Sequence, residues 1–189
     1  YFIYFILFIG LSKTWAQQVN IVLSNYTQKQ AGLYSLSGEK LAFIDSVISK
    51  SIGHFSFNLT KKHPQGFCRF SFEKNKWIDF VNDGEDVIIT TDANNILDSI
   101  KVIKSEGNRF YYSFIKLNKQ YKSKSDLLQL ILARYPKDDD YYSVTQNKLT
   151  QLQKEYLEFV DVTSQKNPKS YIARYIKSAQ LLVIDANLP

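Results

Sequence analysis

The chain has 189 residues, 44% hydrophobic and 22% charged, with 24 Lys and Arg against 18 Asp and Glu. That length suits one substantial domain or two small ones, and the apolar and aromatic content allows a core without covalent staples. The basic surplus is spread among acidic and polar residues, which argues against the clustered stripe that nucleic-acid binding needs. Cys68 is the single cysteine, so no internal disulfide can form.

Residues 1–11 form an uncharged apolar run, and Thr14-Trp15-Ala16 follows before Gln17-Gln18. This reads as the apolar core and small-residue cleavage site of a secretory signal peptide, residues 1–16, cut after Ala16. The run is roughly half the ~20 residues a membrane span requires, so no stable membrane anchor is expected after cleavage. The expected location is the periplasm or cell envelope. No Cys sits at the cleavage site, which argues against a lipoprotein. The chain starts with Tyr, lacks Met and stops in a loop-like stretch at 184–189, so a fragment of a longer protein is expected.

Residues 17–104 are strand-like and predict a β-sandwich domain, an antiparallel sandwich or open barrel of about eight strands. Val19-Asn20-Ile21-Val22-Leu23 opens the series. Leu33-Tyr34-Ser35-Leu36 and the strand at 41–47 are joined by the turn signal Ser37-Gly38-Glu39 and read as a hairpin. In the next strand Phe55, Phe57 and Leu59 share one face, with His54, Ser56 and Asn58 opposite. After the turn Pro64-Gln65-Gly66, Cys68, Phe70 and Phe72 alternate with Phe67, Arg69 and Ser71. The strands at 77–81 and 86–91 flank Asn82-Asp83-Gly84-Glu85, a hairpin-turn signal. The strand at 98–104 closes the set.

Beyond Ser105 the period changes from two to 3.6, predicting a helical region over 105–189 and an α+β chain overall. Ser105 is placed to cap a helix over 105–121. A second helix is expected over 125–133 with Ser125 as its cap. A long helix from about Asp140 to Ser164 carries Tyr142, Leu149, Leu152, Tyr156 and Phe159 at heptad-like spacing. A last helix begins at Ser170, with Ile172, Tyr175, Ile176 and Ala179 on one face.

No residue pattern specifies catalysis, so no catalytic, cofactor-binding or metal-binding residue is assigned, and no cofactor is expected. Cys68 lacks the second cysteine of a thiol–disulfide exchange motif and alternates with Phe70 and Phe72, as a buried, inert thiol would. His54 and His63, the two histidines, sit in separate strand and turn contexts, short of a zinc ligand set. Asp45-Ser46 lacks a nucleophile elbow and suits side-chain to backbone hydrogen bonding at a strand. Asp138-Asp139-Asp140 lacks the spacing and Gly of a calcium loop and suits an acidic helix N-terminus. The glycines at 32, 38, 53, 66, 84 and 107 are isolated, so no phosphate loop occurs. Among the aromatics, Tyr111, Tyr112, Tyr121, Tyr135, Tyr141, Tyr142 and Trp77 divide between core spacing and exposed positions able to grip a sugar or a protein.

A resemblance gives the functional lead. The turn Ser37-Gly38-Glu39-Lys40, then Asp45-Ser46, Gly53-His54-Phe55-Ser56-Phe57 and Gly66-Phe67-Cys68-Arg69-Phe70 together resemble a β domain of unknown function. That domain precedes the thioredoxin-like module of secreted TlpA/AhpC-TSA-like thiol–disulfide oxidoreductases in anaerobic Gram-negative gut bacteria. The segment at 98–108 with Tyr111-Tyr112 is similar to its β-to-α junction, and Lys169-Ser170-Tyr171-Ile172-Ala173-Arg174-Tyr175 to its helical linker. The resemblance implies a non-catalytic accessory region that serves client recognition, dimerisation or module placement. Its partners would be a C-terminal thioredoxin-like module of the same polypeptide, periplasmic clients or a second copy. The paired cysteines of that module lie outside this sequence, so no catalytic residue carries over. The competing expectation is a stand-alone binding module for glycans or cell-envelope proteins.

Overall fold

The computed structural model describes residues 16–60, 63–166 and 168–181. The expected leader, except for Ala16, and the stretch at 184–189 lie outside the described residues. The elements are β1 (Gln17–Ser24), β2 (Gln30–Ser37), β3 (Lys40–Ile48), β4 (His54–Leu59), β5 (Gly66–Glu73), β6 (Lys76–Asn82), β7 (Val87–Asp92), α1 (Ile96–Ser99), β8 (Lys101–Lys104), α2 (Glu106–Arg134), α3 (Asp140–Lys166) and α4 (Tyr171–Ser178).

The strands form two four-stranded sheets, ordered β4-β1-β7-β8 and β3-β2-β5-β6, and the helices follow, giving the expected α+β class. Alternation supplies the core directly. Val19, Ile21 and Leu23 of β1, Leu33 of β2, Phe55 of β4, Phe70 of β5, Phe80 of β6 and Ile89 of β7 are all buried together. Pairing is antiparallel throughout except for β1 with β7, which run parallel. Those two strands can pair that way because the chain between them builds the entire second sheet.

Backbone freedom matters most at two glycines. Gly38 begins the two-residue β2–β3 turn with φ +59°, and Ser37 pairs with Lys40 across it. Gly53 has φ +72° and accepts a hydrogen bond from Leu23 N at 2.8 Å; a Cβ there would collide with the Leu23 carbonyl oxygen.

Three expected elements take a different form. Asn82-Asp83-Gly84-Glu85 is no hairpin, because β6 and β7 belong to different sheets. The segment instead crosses between them, and its polar side chains tie the crossing down. Asn82 Nδ2 donates to Pro64 O at 2.9 Å, and Glu85 Oε2 accepts from Glu106 N at 2.8 Å at the start of α2. The strand expected at 98–104 begins later, since 96–99 is a helical turn. There Ser99 Oγ accepts from Asp92 N and donates to Asn95 O, holding the chain curled. The two helices expected at 105–121 and 125–133 are one continuous helix. Ser125 is buried within it rather than capping, Gln129 Nε2 donates to its hydroxyl at 3.2 Å, and Lys122 pairs with Asp126 at 3.0 Å. Nothing between Tyr121 and Ser125 breaks a helix, and packing against α3 carries it through.

The helices extend the same core with a tyrosine-rich section. Tyr121 stacks on Tyr156 at 4.4 Å, with Val160, Phe114, Ile172 and Ile176 buried around them. The expected heptad face of α3 is present, with Leu149 and Tyr156 buried and Tyr142, Leu152 and Phe159 half-buried. Ser170 caps α4 by accepting from Ala173 N at 3.1 Å. Among the described residues no helix is long and apolar enough to cross a membrane.

Candidate functional site

The site is built on the outer face of the second sheet, where the helices join it. Ser105 holds φ +103°, and its hydroxyl accepts from Asn108 N at 3.1 Å, capping α2 as expected. One turn in, Asn108 is fully buried and its amide reads the backbone of β6, the edge strand. Val81 N donates to Asn108 Oδ1 at 2.7 Å, and Asn108 Nδ2 donates to Val81 O at 3.0 Å. Four residues on, Tyr112 Oη donates to Asp79 O at 2.6 Å. Residues four apart on a helix and two apart on a strand rise by about the same distance, so one helix face satisfies the outward groups of β6 in series. Gly107 fits this seam because a Cβ would collide with Asp83.

With the helices fixed there, a groove of about 650 Å³ opens between the sheet and α2 and α4. Phe67 of β5 lies at its centre, 4.9 Å from Tyr111, 5.6 Å from Tyr171 and 4.7 Å from Tyr175, ring centre to ring centre. Among the described residues, the hydroxyls of these three tyrosines have no hydrogen-bond partner. Burial raises the Tyr111 and Tyr175 phenol pKa values, and the Asp79 carboxylate adds to that in both. Tyr111 and Tyr175 are therefore neutral donors at physiological pH.

Beside the groove a row of side chains crosses all four strands in register: Phe43 of β3, Tyr34 of β2, Arg69 of β5 and Asp79 of β6. Phe43 meets Tyr34 edge-on at 5.5 Å. Arg69 grips Asp79 with both prongs, Nε to Oδ1 at 2.6 Å and Nη2 to Oδ2 at 2.8 Å, which raises the guanidinium pKa. Its guanidinium also lies 4.2 Å from the centre of the exposed Trp77 ring. The row thus presents aromatic surface around an internally neutralised ion pair. Such a surface suits stacking and hydrogen bonding to a neutral or weakly polar partner.

The residues weighed for chemistry do not converge here. Cys68 is fully buried on the inner face, and burial, then the nearby Asp79 charge, push its thiol up to about 12. His54 is exposed on β4, while His63 Nδ1 accepts from Thr60 N at 2.8 Å. Among the described residues no group of three or more His, Cys, Asp or Glu could hold a metal ion. Asp45 Oδ1 accepts from Ser46 N at 2.7 Å, and Asp139 Oδ1 accepts from Tyr141 N at 2.7 Å at the start of α3, so both act locally. Of these aromatics, Tyr111, Tyr112 and Tyr121 are buried and Tyr142 is half-buried, while Trp77, Tyr135 and Tyr141 are exposed. Tyr34, Phe43 and Asn108 carry the site without having stood out in the sequence. Their roles depend on strand register and on which edge the helix meets.

No family model, curated protein or solved structure matches the chain. Geometry and residue chemistry therefore carry the functional argument.

Proposed function

We propose that this chain is the non-catalytic N-terminal accessory region of a periplasmic thioredoxin-like thiol–disulfide oxidoreductase, and that it recognises client polypeptides on the outer face of its second sheet. The observation that supports this most is the cross-strand row of Phe43, Tyr34, Arg69 and Asp79, with Trp77 beside it, running along the groove around Phe67. An unfolded client offers apolar and aromatic side chains in varied order, and such a surface accepts them without demanding one sequence. The helices, pinned to β6 by Asn108 and Tyr112, would hold a following module at a fixed place relative to that face.

Titration calorimetry with a reduced, unfolded polypeptide tests this reading. Binding that is lost in Tyr34→Ala/Trp77→Ala, with the fold unchanged by circular dichroism, is expected; absence of binding to the unaltered chain contradicts it. The chain alone is also expected not to reduce insulin disulfides. A second reading, glycan binding, is favoured by the hydroxyls of Tyr111, Tyr171 and Tyr175, which have no hydrogen-bond partner among the described residues. Hits on a glycan array that disappear in Tyr171→Phe/Tyr175→Phe would establish it in place of the first.

A further inference from the structure

The four sheet edges are treated unequally. β8 is four residues long and bears Lys101 and Lys104, β4 is polar at every other position, and α2 covers β6. β3 is nine residues long, and its exposed apolar residues include Leu41, Phe43 and Ile48. Exposed edges of that kind pair with other strands unless something prevents it.

The hydrogen-bond phase of β3 follows from the opposite edge. Because Asp79 O and both backbone groups of Val81 face α2, those residues face away from β5. Antiparallel alternation then carries inward strand by strand. Their partners Arg69 and Phe67 face β2 and bond to Tyr34 and Leu36, which in turn face away from β3. Phe43 and Leu41, opposite Tyr34 and Leu36, therefore direct their N–H and C=O groups out of the sheet, while Ala42 and Lys40 face in. The ladder is interrupted at the Leu33/Tyr34 register shift, where Ile44 is the extra residue on β3. The competent edge is thus Lys40-Leu41-Ala42-Phe43, with its two outward-facing residues symmetric about Ala42.

We propose that a second copy of this chain docks antiparallel along this edge, Leu41 of each copy pairing with Phe43 of the other across a two-fold axis at Ala42. This register uses every outward group of the stretch on both copies. A shift of two residues either way leaves one hydrogen-bonded pair, because the next position is either the turn residue Glu39 or the inward-facing Asp45. Within the paired stretch the register is also matched in chemistry. Leu41 lies against Phe43 on the outer face of each copy, and Lys40 faces Ile44 rather than a like charge; Glu39, in the turn, falls opposite Asp45 beyond the paired residues. The two second sheets join into one sheet that ends at each side in a β6 covered by its helix. The two outer faces then lie side by side.

Cysteine crosslinking tests the register. In it Ala42 faces Ala42 of the second copy as a non-hydrogen-bonded pair, the arrangement whose Cα separation of about 4.5 Å suits a disulfide. Cys68, being buried, should not compete. Ala42→Cys is expected to give a disulfide-linked dimer under mild oxidation, and Lys40→Cys and Ile48→Cys are expected to stay monomeric. In sedimentation equilibrium the unaltered chain should associate reversibly. Phe43→Glu, at an exposed position, should weaken that association about tenfold, which is ~1.4 kcal/mol shared between the two altered pairs. A chain that stays monomeric at every concentration, association unaffected by Phe43→Glu, or crosslinking stronger at Lys40→Cys than at Ala42→Cys would overturn the proposal. Client binding is read by calorimetry with an added polypeptide, whereas self-association is read by sedimentation of the chain alone and by crosslinking at Ala42, which lies outside the client-binding row, so the two readings fail separately.

Discussion

The two edges of the second sheet have similar backbones and opposite fates. At β6, Asn108 and Tyr112 supply side-chain groups in the positions a neighbouring strand would have used at Val81 and Asp79. At β3, the same row of backbone groups faces out beside exposed Leu41 and Phe43. The contrast shows that a helix can close a sheet when two polar side chains at i and i+4 fall in phase with alternate residues of the strand. It also shows what is left where, among the described residues, no such helix arrives: an edge guarded locally by the irregularity after Phe43.

Perturbations should separate the edges by size. Asn108→Ala leaves the Val81 N–H and C=O buried without partners, at a cost of about 2–4 kcal/mol by urea unfolding. A loss under about 1 kcal/mol would mean that the helix seam contributes little. Tyr112→Phe removes one hydrogen bond to Asp79 O and keeps the ring, so about 1–2 kcal/mol is expected.

Cys68, a β5 residue whose side chain is buried on the inner face, should respond to neither edge. Cys68→Ala should cost on the order of 1 kcal/mol by the same assay and leave the proposed client binding unchanged. Its thiol pKa is raised on folding to about 12. The stabilisation from keeping it neutral is complete below the ordinary thiol range and is lost as pH rises toward the folded value. Stability should therefore fall between about pH 9 and 12, by up to ~1.4 kcal/mol per pH unit from this group, and Cys68→Ala should flatten that slope. Tyr111 and Tyr112 are shifted in the same direction and extend the decline at the alkaline end. The smallest effect belongs to the open edge: Phe43→Lys should change stability by no more than about 1 kcal/mol in dilute solution.

Much of this fold is legible in the sequence. The alternation of Phe55, Phe57 and Leu59, and of Cys68, Phe70 and Phe72, marks their strands and inward faces, because a strand buried on one side has a period of two. The switch at Ser105 is equally plain, since a capping hydroxyl precedes a change to helical spacing. Long-range partnership is not legible. Asn82-Asp83-Gly84-Glu85 has hairpin composition, yet whether two flanking strands pair or separate is decided by the sheets they join. Ser125 has the chemistry of a cap, but the helix runs through it because α3 packs alongside. Asn108 looks like any polar residue in a first helical turn; only the position of β6 gives its amide a purpose. For the same reason the cross-strand row is invisible in the sequence. Phe43, Tyr34, Arg69 and Asp79 come from four strands and are brought into line by register alone.

Amide hydrogen exchange read residue by residue in dilute solution tests the edge asymmetry most directly. Closure of β6 by α2 predicts that the Val81 amide, bonded to the buried Asn108 side chain, exchanges only through large-scale opening and ranks with the slowest amides of the core. The Leu41 and Phe43 amides should exchange orders of magnitude faster and become protected as concentration rises. Rapid exchange at Val81, or protection at Leu41 and Phe43 equal to that at Val81 in the monomer, would contradict the account.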